Sequence, residues 1–325
     1  MSHPLMQLVL SFDVEVWCNG WDRLDEEFPR AFERYVYGHS RTAGGALPLT
    51  LKILRRHGIR AVFFVEPLFA ARFGLRYLRE IVELIGADGH DLQMHLHSEW
   101  ADEIRPRPLE HIPDKRQHLQ YLSYEDQLTL IRTGLALLHD AGVPRITAFR
   151  AGSFAANGDT LRALAAAGIA VDSSINAAMA ISMPDRRDSI DLYQPSRVDG
   201  LLSVPLTVFR DGLGRLRPAQ VGACSFEELR EVIEWALAHD WPAVSILSHN
   251  FEMLRPDSIR IDPIVAHRFE RLCAFIASRA PAVRTGGLAG CSIAPSAAAL
   301  ALPAVGRRAT VRRLAEQLAR RALRR

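Results

Sequence analysis

Two carboxylates close the first apolar run of the chain. Asp13 and Glu15 stand two residues apart, so on a strand both side chains project to one face. Such a pair can hold a divalent ion, or divide into a general base and a ligand. It also fits a solvated strand end. A second cluster lies in the stretch His-Asp-Leu-Gln-Met-His-Leu-His-Ser-Glu-Trp (90–100). If the strand continues, His95 and His97 share a face. If a helix starts at His95, it shares a face with Glu99. Either arrangement suits a zinc-like ion, and a pair of hydrogen-bonded structural histidines is the alternative. Arg150 follows another apolar run, and a guanidinium buried there needs an acidic partner; Asp13 is a candidate. Asp172 and His249 could form a further pair, with Asp172 fixing the imidazole. A carboxylate-held histidine is a good general acid near neutral pH.

These residues must be positioned by elements, and the pattern of the chain supplies them. Strand-like runs are expected at 7–16, 60–65, 91–97, 145–150, 170–173, 201–206, 243–248 and 282–285. Helical patterns are expected at 47–57, 68–85, 124–141, 160–167, 226–239 and 263–278. Repeated strand–helix units imply parallel strands with helices packed outside. The expectation is an α/β fold, a distorted (β/α) barrel of about seven parallel strands, in which functional residues gather at the C-terminal ends of the strands. Asp13, Glu15, His95, His97, Arg150, Asp172 and His249 each stand at such an end. Two long stretches, 17–45 and 99–123, interrupt the alternation, and loops of that length are commonly lids or binding loops.

Composition narrows the class. The 325 residues are 48% hydrophobic and 24% charged, the profile of an ordinary globular protein. The net charge of +3 conceals an asymmetry. Residues 307–325 hold eight arginines and one acid, a local charge of +7, which leaves −4 for the rest. Basic residues are not interleaved with aromatics on the body, which argues against a nucleic-acid partner. Cysteines at 18, 224, 273 and 291 fit neither a zinc ribbon nor a redox pair and read as reduced cytoplasmic thiols. No signal-peptide pattern or membrane span is expected. The domain reading is a barrel over 1–288, then an Ala/Pro-rich linker and a basic helical tail over 289–325. In the tail Val311, Leu314, Leu318 and Ala322 share one helical face. The tail is either a solvated, frayed helix or a peripheral contact with an anionic membrane at the inner face of the inner membrane.

The order of the pieces resembles the polysaccharide deacetylase (NodB-homology, carbohydrate esterase family 4) superfamily. The matching segments are Ser-Phe-Asp-Val-Glu (11–15), Gly-Ile-Arg-Ala-Val-Phe-Phe-Val (58–65), Gly-His-Asp-Leu-Gln-Met-His (89–95), Arg-Ala-Gly (150–152), Asp-Ser-Ser (172–174) and Leu-Ser-His (247–249). Each is weak alone; six in order over about residues 7–285 are specific. The resemblance implies a divalent metal, zinc foremost, and hydrolysis of an N-acetyl group on a sugar. It implies Asp13 as general base, Arg150 as its tether, His249 as general acid supported by Asp172, and His95 as a metal ligand. Two positions depart from the family. Its second Asp, a ligand, is Val14 here, and its second ligand histidine is Glu99. Glu15, Glu99 and His97 are the replacements on hand. These variants resemble the subgroup linked to lipopolysaccharide biosynthesis, typified by WalW, which implies a cell-surface glycan or its lipid-linked precursor. Trp17, Trp100 and Phe154 are the aromatic candidates for substrate binding. The rival readings are a metal-independent C–N hydrolase of allantoinase type and a catalytically inactive glycan-binding barrel.

Overall fold

The computed structural model describes residues 5–38, 41, 44–112, 114–256, 258–290, 293–295 and 300–322. Residues 1–4, 39, 40, 42, 43, Pro113, Asp257, Cys291, Ser292, 296–299 and 323–325 lie outside these, and with them parts of both insertions, the linker and the tail's end. Strands are β1 (Met6–Val14), β2 (Val62–Val65), β3 (Asp91–Leu96), β4 (Ala148–Ala151), β5 (Val171–Asp172), β6 (Ser196–Val198), β7 (Leu201–Ser203), β8 (Val208–Arg210), β9 (Leu216–Pro218), β10 (Ala243–His249) and β11 (Val283–Thr285). Helices are α1 (Leu24–Phe32), α2 (Ala46–Arg56), α3 (Ala70–Phe73), α4 (Leu75–Gly86), α5 (Tyr124–Asp140), α6 (Gly158–Ala166), α7 (Phe226–Ala238), α8 (Pro263–Ser278) and α9 (Arg307–Ala322). Among the described residues no helix is long and apolar enough to cross a membrane.

The chain divides into two compact units. The first joins Met1–Ala61, Thr207–Gly286 and Ala298–Arg325; the second joins Val62–Leu206 and Gly287–Ala297.

In the first unit β1 lies between two parallel neighbours, β10 and β11. All nine residues of β1 are buried, as expected of a strand covered on both faces. Its Phe12 meets Phe269 of α8 edge to face at 5.7 Å. The register runs from Gln7 opposite Ala243 to Asp13 opposite His249. The helices have strong starts. Ser225 and Glu228 close a capping box on α7, and Asp262 caps α8 ahead of Pro263. The hairpin β8–β9 was not legible in the sequence, because each arm is only three residues long.

In the second unit the strand order is β2-β3-β4-β5-β7-β6, parallel except for the edge strand β6. Buried Gln93 of β3 accepts from the backbone N–H groups of Thr147 (2.8 Å) and Ala148 (2.7 Å), which holds the start of β4 in place. Gly134 lets α5 approach: a Cβ there would come within 2.8 Å of the Met94 sulfur. The helix expected over 68–85 is two helices, because Gly74 takes a left-handed φ of 92° between α3 and α4.

Candidate active site

The first unit places a carboxylate pair beside an imidazole. The parallel register of β1 and β10 puts Asp13 and His249 side by side at the strand ends. Asp13 and Glu15 are 3% and 7% exposed. One ligand atom from each of Asp13, Glu15 and His249 lies within 4.8 Å of the others. Asn250 fixes the chain here. Its side chain accepts from the Glu15 N–H at 3.1 Å and donates to the carbonyls of Glu15 (3.1 Å) and Tyr35 (2.7 Å). Tyr35 belongs to a π-helical turn, Glu33–Tyr37, so the insertion after β1 is tied to the same loop. Trp17 donates from Nε1 to Glu15 Oε2 at 2.6 Å. That bond orients the carboxylate and leaves Trp17 half-buried beside it.

His249 is held by Glu252. Its Nδ1 donates to Glu252 Oε1 at 2.9 Å, and its ring stacks on Phe251 at 5.2 Å. Glu252 in turn accepts from Gln220 Nε2 (2.5 Å), the Gly222 N–H (2.6 Å) and Ser248 Oγ (3.1 Å). Four donors fix this carboxylate. Position 222 must be glycine for that fit, since a Cβ would come within 2.7 Å of the Glu252 carboxyl carbon. Burial alone would push the His249 pKa down. The hydrogen bond and charge of Glu252, with the charges of Glu15 and Asp13, outweigh it and raise the value from 6.5 to about 9. The imidazole is therefore a charged proton donor at neutral pH. The partner at its Nδ1 is Glu252, where the sequence pointed to Asp172.

The second unit carries the two histidines. His95 is 1% exposed, and its Nδ1 donates to the Arg150 carbonyl at 2.8 Å. The His97 Nδ1 lies 3.2 Å from Glu99 Oε2. Both Nδ1 atoms face an acceptor oxygen, and the ring centroids are 4.8 Å apart. Outer partners of this kind are what fix metal-ligating imidazoles. Glu99, read from the sequence as a ligand candidate, sits at the rear of His97. The buried Glu66 accepts from the backbone N–H of His97 and, at 2.6 Å, from that of Leu68. Gly152 of Arg-Ala-Gly underlies the His97 ring; a Cβ there would come within 2.5 Å of Nδ1.

Arg150 is fully buried. Its Nε and Nη2 donate to the carbonyl (3.2 Å) and hydroxyl (3.0 Å) of Ser173, and its guanidinium lies over the Phe64 ring at 4.2 Å. Phe154 is 5.6 Å from the same guanidinium and buried. Asp172 is buried as well. Its Oδ1 accepts from the Ser174 N–H at 3.1 Å, and its Oδ2 has no hydrogen-bond partner. Burial raises its pKa from 3.8 to about 6 against the opposing pull of the Ser174 bonds and the Arg150 charge. Trp100 is 1% exposed and packs edge-on against Phe69 and Phe73. Its burial makes it a wall of the fold, with no ring face open to a sugar.

The donor sets fit a divalent ion. The first unit offers the buried carboxylates of Asp13 and Glu15, and the second offers two imidazoles, each held at Nδ1 by an acceptor oxygen. Glu252, Asn250, Gln220 and Glu66 were missed in the sequence. For Glu252 alone a local signal existed, a His-x-x-Glu spacing after a strand end.

No family model matches the chain, and no curated protein matches it. Solved structures do. The chain is similar to a Mycobacterium smegmatis protein assigned as a polysaccharide deacetylase, at 17% identity and a TM-score of 0.56, over 89% of both chains. It is also similar to 4-alpha-glucanotransferase from Thermococcus litoralis, at 13% identity and a TM-score of 0.52, over 92% of this chain and 42% of that one. A family 4 carbohydrate esterase from Streptomyces lividans aligns at 13% identity over 87% of this chain and 93% of that one, with a TM-score of 0.45. At these identities the likeness establishes the fold: α/β, of the distorted (β/α)-barrel class of the Mycobacterium smegmatis structure. The glucanotransferase on the same fold shows that the reaction must be argued from the site.

Proposed function

We propose that the protein is a metal-dependent hydrolase that removes the N-acetyl group from a sugar, in the manner of the polysaccharide deacetylases. The observation that carries this is the pairing of Asp13 with a charged, Glu252-held His249 at adjacent strand ends. One carboxylate and one imidazolium are the base and acid that amide hydrolysis needs. Asp13 takes a proton from the attacking water. The water oxygen bonds to the acetamide carbon, the C–N bond breaks, and His249 delivers its Nε2 proton to the departing nitrogen. Acetate and a free amino sugar result. Glu15, His95 and His97 are the proposed ligands of a divalent ion, zinc foremost, which supplies carbonyl polarisation and a more acidic water. Glu99 orients His97, Arg150 supports the base, and Trp17 and Phe154 are the proposed sugar contacts. The Asp-Val-Glu variant supports placement beside the WalW-like subgroup, with a lipid-linked precursor or cell-surface glycan as substrate.

Acetate release from N-acetylated glycans tests the assignment. Asp13→Asn and His249→Ala should each lower kcat roughly 10²–10⁴-fold, and chelation should abolish activity until a divalent ion is restored. Wild-type rates in both variants would sink it. Activity that survives chelation would favour the metal-independent C–N hydrolase.

A further inference from the structure

The helix α9 has two faces of different character. Its inner face is polar and tightly held. Arg313 is 5% exposed and bridges Asp211 Oδ2 and Glu228 Oε1, each at 2.9 Å. Glu316 receives Arg268 at 2.7 Å, and Arg320 donates to Asp262 at 2.7 Å. Thr310 accepts from the Gly212 N–H at 2.8 Å. Its outer face is apolar. Val311, Leu314 and Leu318 are 62%, 41% and 64% exposed, and at 100° per residue they fall within one narrow stripe with Ala315 and Ala322. Of the eight exposed large apolar side chains among the described residues, these are three; a fourth, Leu213, lies beside Gly212, whose backbone packs on Arg307. Exposed Arg308 and Arg312 flank one side of the stripe and Arg321 the other, while exposed Arg307 stands in line with the stripe at the start of the helix.

This is the inverse of a helix that merely covers a core. Its ion pairs are turned inward, and its leucines outward. A cavity of about 460 Å³ opens beside it, with apolar walls from Phe226, Ile264 and Ala319, basic groups from His267, Arg271 and Arg312, and one acid, Glu316, which pairs with Arg312 as Glu227 does with Arg271. That lining matches an amphiphile with an anionic head.

We propose that α9 docks the protein on an anionic lipid surface, with Val311, Leu314 and Leu318 among the acyl-chain ends, the flanking arginines on phosphates, and one lipid headgroup in the adjoining cavity. An apolar stripe between cationic borders is the pattern of interfacial helices. The partner is chosen by charge: the excess of positive charge lies here, +7 over residues 307–325, while residues 1–306 carry a net −4. A nucleic acid would match the arginines and leave the leucines in water.

The test is co-sedimentation of the full chain with vesicles of phosphatidylcholine alone and of phosphatidylcholine with phosphatidylglycerol in equal parts. Anionic vesicles should bind at least roughly tenfold more tightly, an advantage that fades as salt is raised. The double variant Leu314→Glu, Leu318→Glu should lose on the order of 100-fold in binding with an unchanged thermal midpoint, since both side chains are already exposed. Equal binding to the two vesicle types, or undiminished binding by the folded variant, overturns the proposal. So does a dimer in solution that the variant dissociates, which would assign the face to a second copy. Acetate release plays no part in the readout, so failure here leaves the hydrolase reading standing, and the reverse also holds.

Discussion

At the residue scale, two titratable groups, the half-buried His249 and the buried Asp172, depart from their ordinary values in ways that can be measured. His249 is kept charged by Glu252 against the pull of burial. A raised imidazole pKa contributes stability that is fully present below about 6.5 and lost as pH rises through about 9. Glu252→Gln keeps an acceptor at Nδ1 but removes its charge. The imidazole pKa of the metal-free protein should then fall, as followed by NMR titration, and the alkaline limb of the activity profile should move to lower pH with it. A profile that does not move would deny Glu252 its role. Asp172 is shifted in the same direction by the opposite cause, burial itself. Its carboxyl is raised to about 6 from 3.8, so the folded state favours the protonated form. Stability is highest below about 4, declines as pH rises through about 6, and stays reduced above. The shift corresponds to about 3 kcal/mol. Asp172→Asn should flatten that decline in a series of thermal midpoints against pH. The residues legible in sequence were those at strand ends, where apolar runs stop on a chemically able side chain. Glu252, Asn250, Gln220 and Glu66 were not, because their partners come from loops or from the far end of the chain: Asn250 meets Glu15 across 235 positions. No periodicity announces such a contact.

At the scale of elements, α9 is the instructive case. Its hydropathy pattern correctly grouped Val311, Leu314 and Leu318 on one face, but that face is the exposed one. The buried face is built on charge, which hydropathy reads as solvent-facing. The sequence cannot disclose that Asp211 and Glu228 wait for Arg313, since both lie about a hundred positions or fewer upstream. Arg313→Ala would leave two buried carboxylates without their counter-ion and should destabilise the full chain by about 3–5 kcal/mol in denaturant unfolding. Arg312→Ala, at a position 57% exposed and paired, among the described residues, with Glu316 on its own helix, should change stability by less than about 0.5 kcal/mol. Comparable losses from both would mean that the inner ion pairs do not dock the helix. Elements with strong local signals matched their expected spans. The helix over 263–278 has the bounds of α8, because Asp262 and Pro263 mark its start unambiguously. The hairpin β8–β9 and the split at Gly74 escaped because three-residue strands and a single glycine carry little periodic signal.

At the scale of the molecule, the alternation of strand and helix was enough to give the class of fold, since parallel strands need crossover helices and these leave a regular trace in hydropathy. What it did not give was the division into two units whose segments interleave along the chain. That division has a consequence for synthesis. Asp13 and Glu15 are made before Val62–Leu206, the whole of which must follow before β10 brings His249 into register with Asp13. The second unit's sheet is complete in sequence by then and can form first. Even when β10 has paired, Gly222, which donates to Glu252, still awaits the Arg320 Nη1 that binds its carbonyl at 3.0 Å. A nascent chain thus carries Asp13 and Glu15 through the whole of the second unit before His249 can stand beside them, and the loop that supports Glu252 is secured only when the segment bearing α9 arrives.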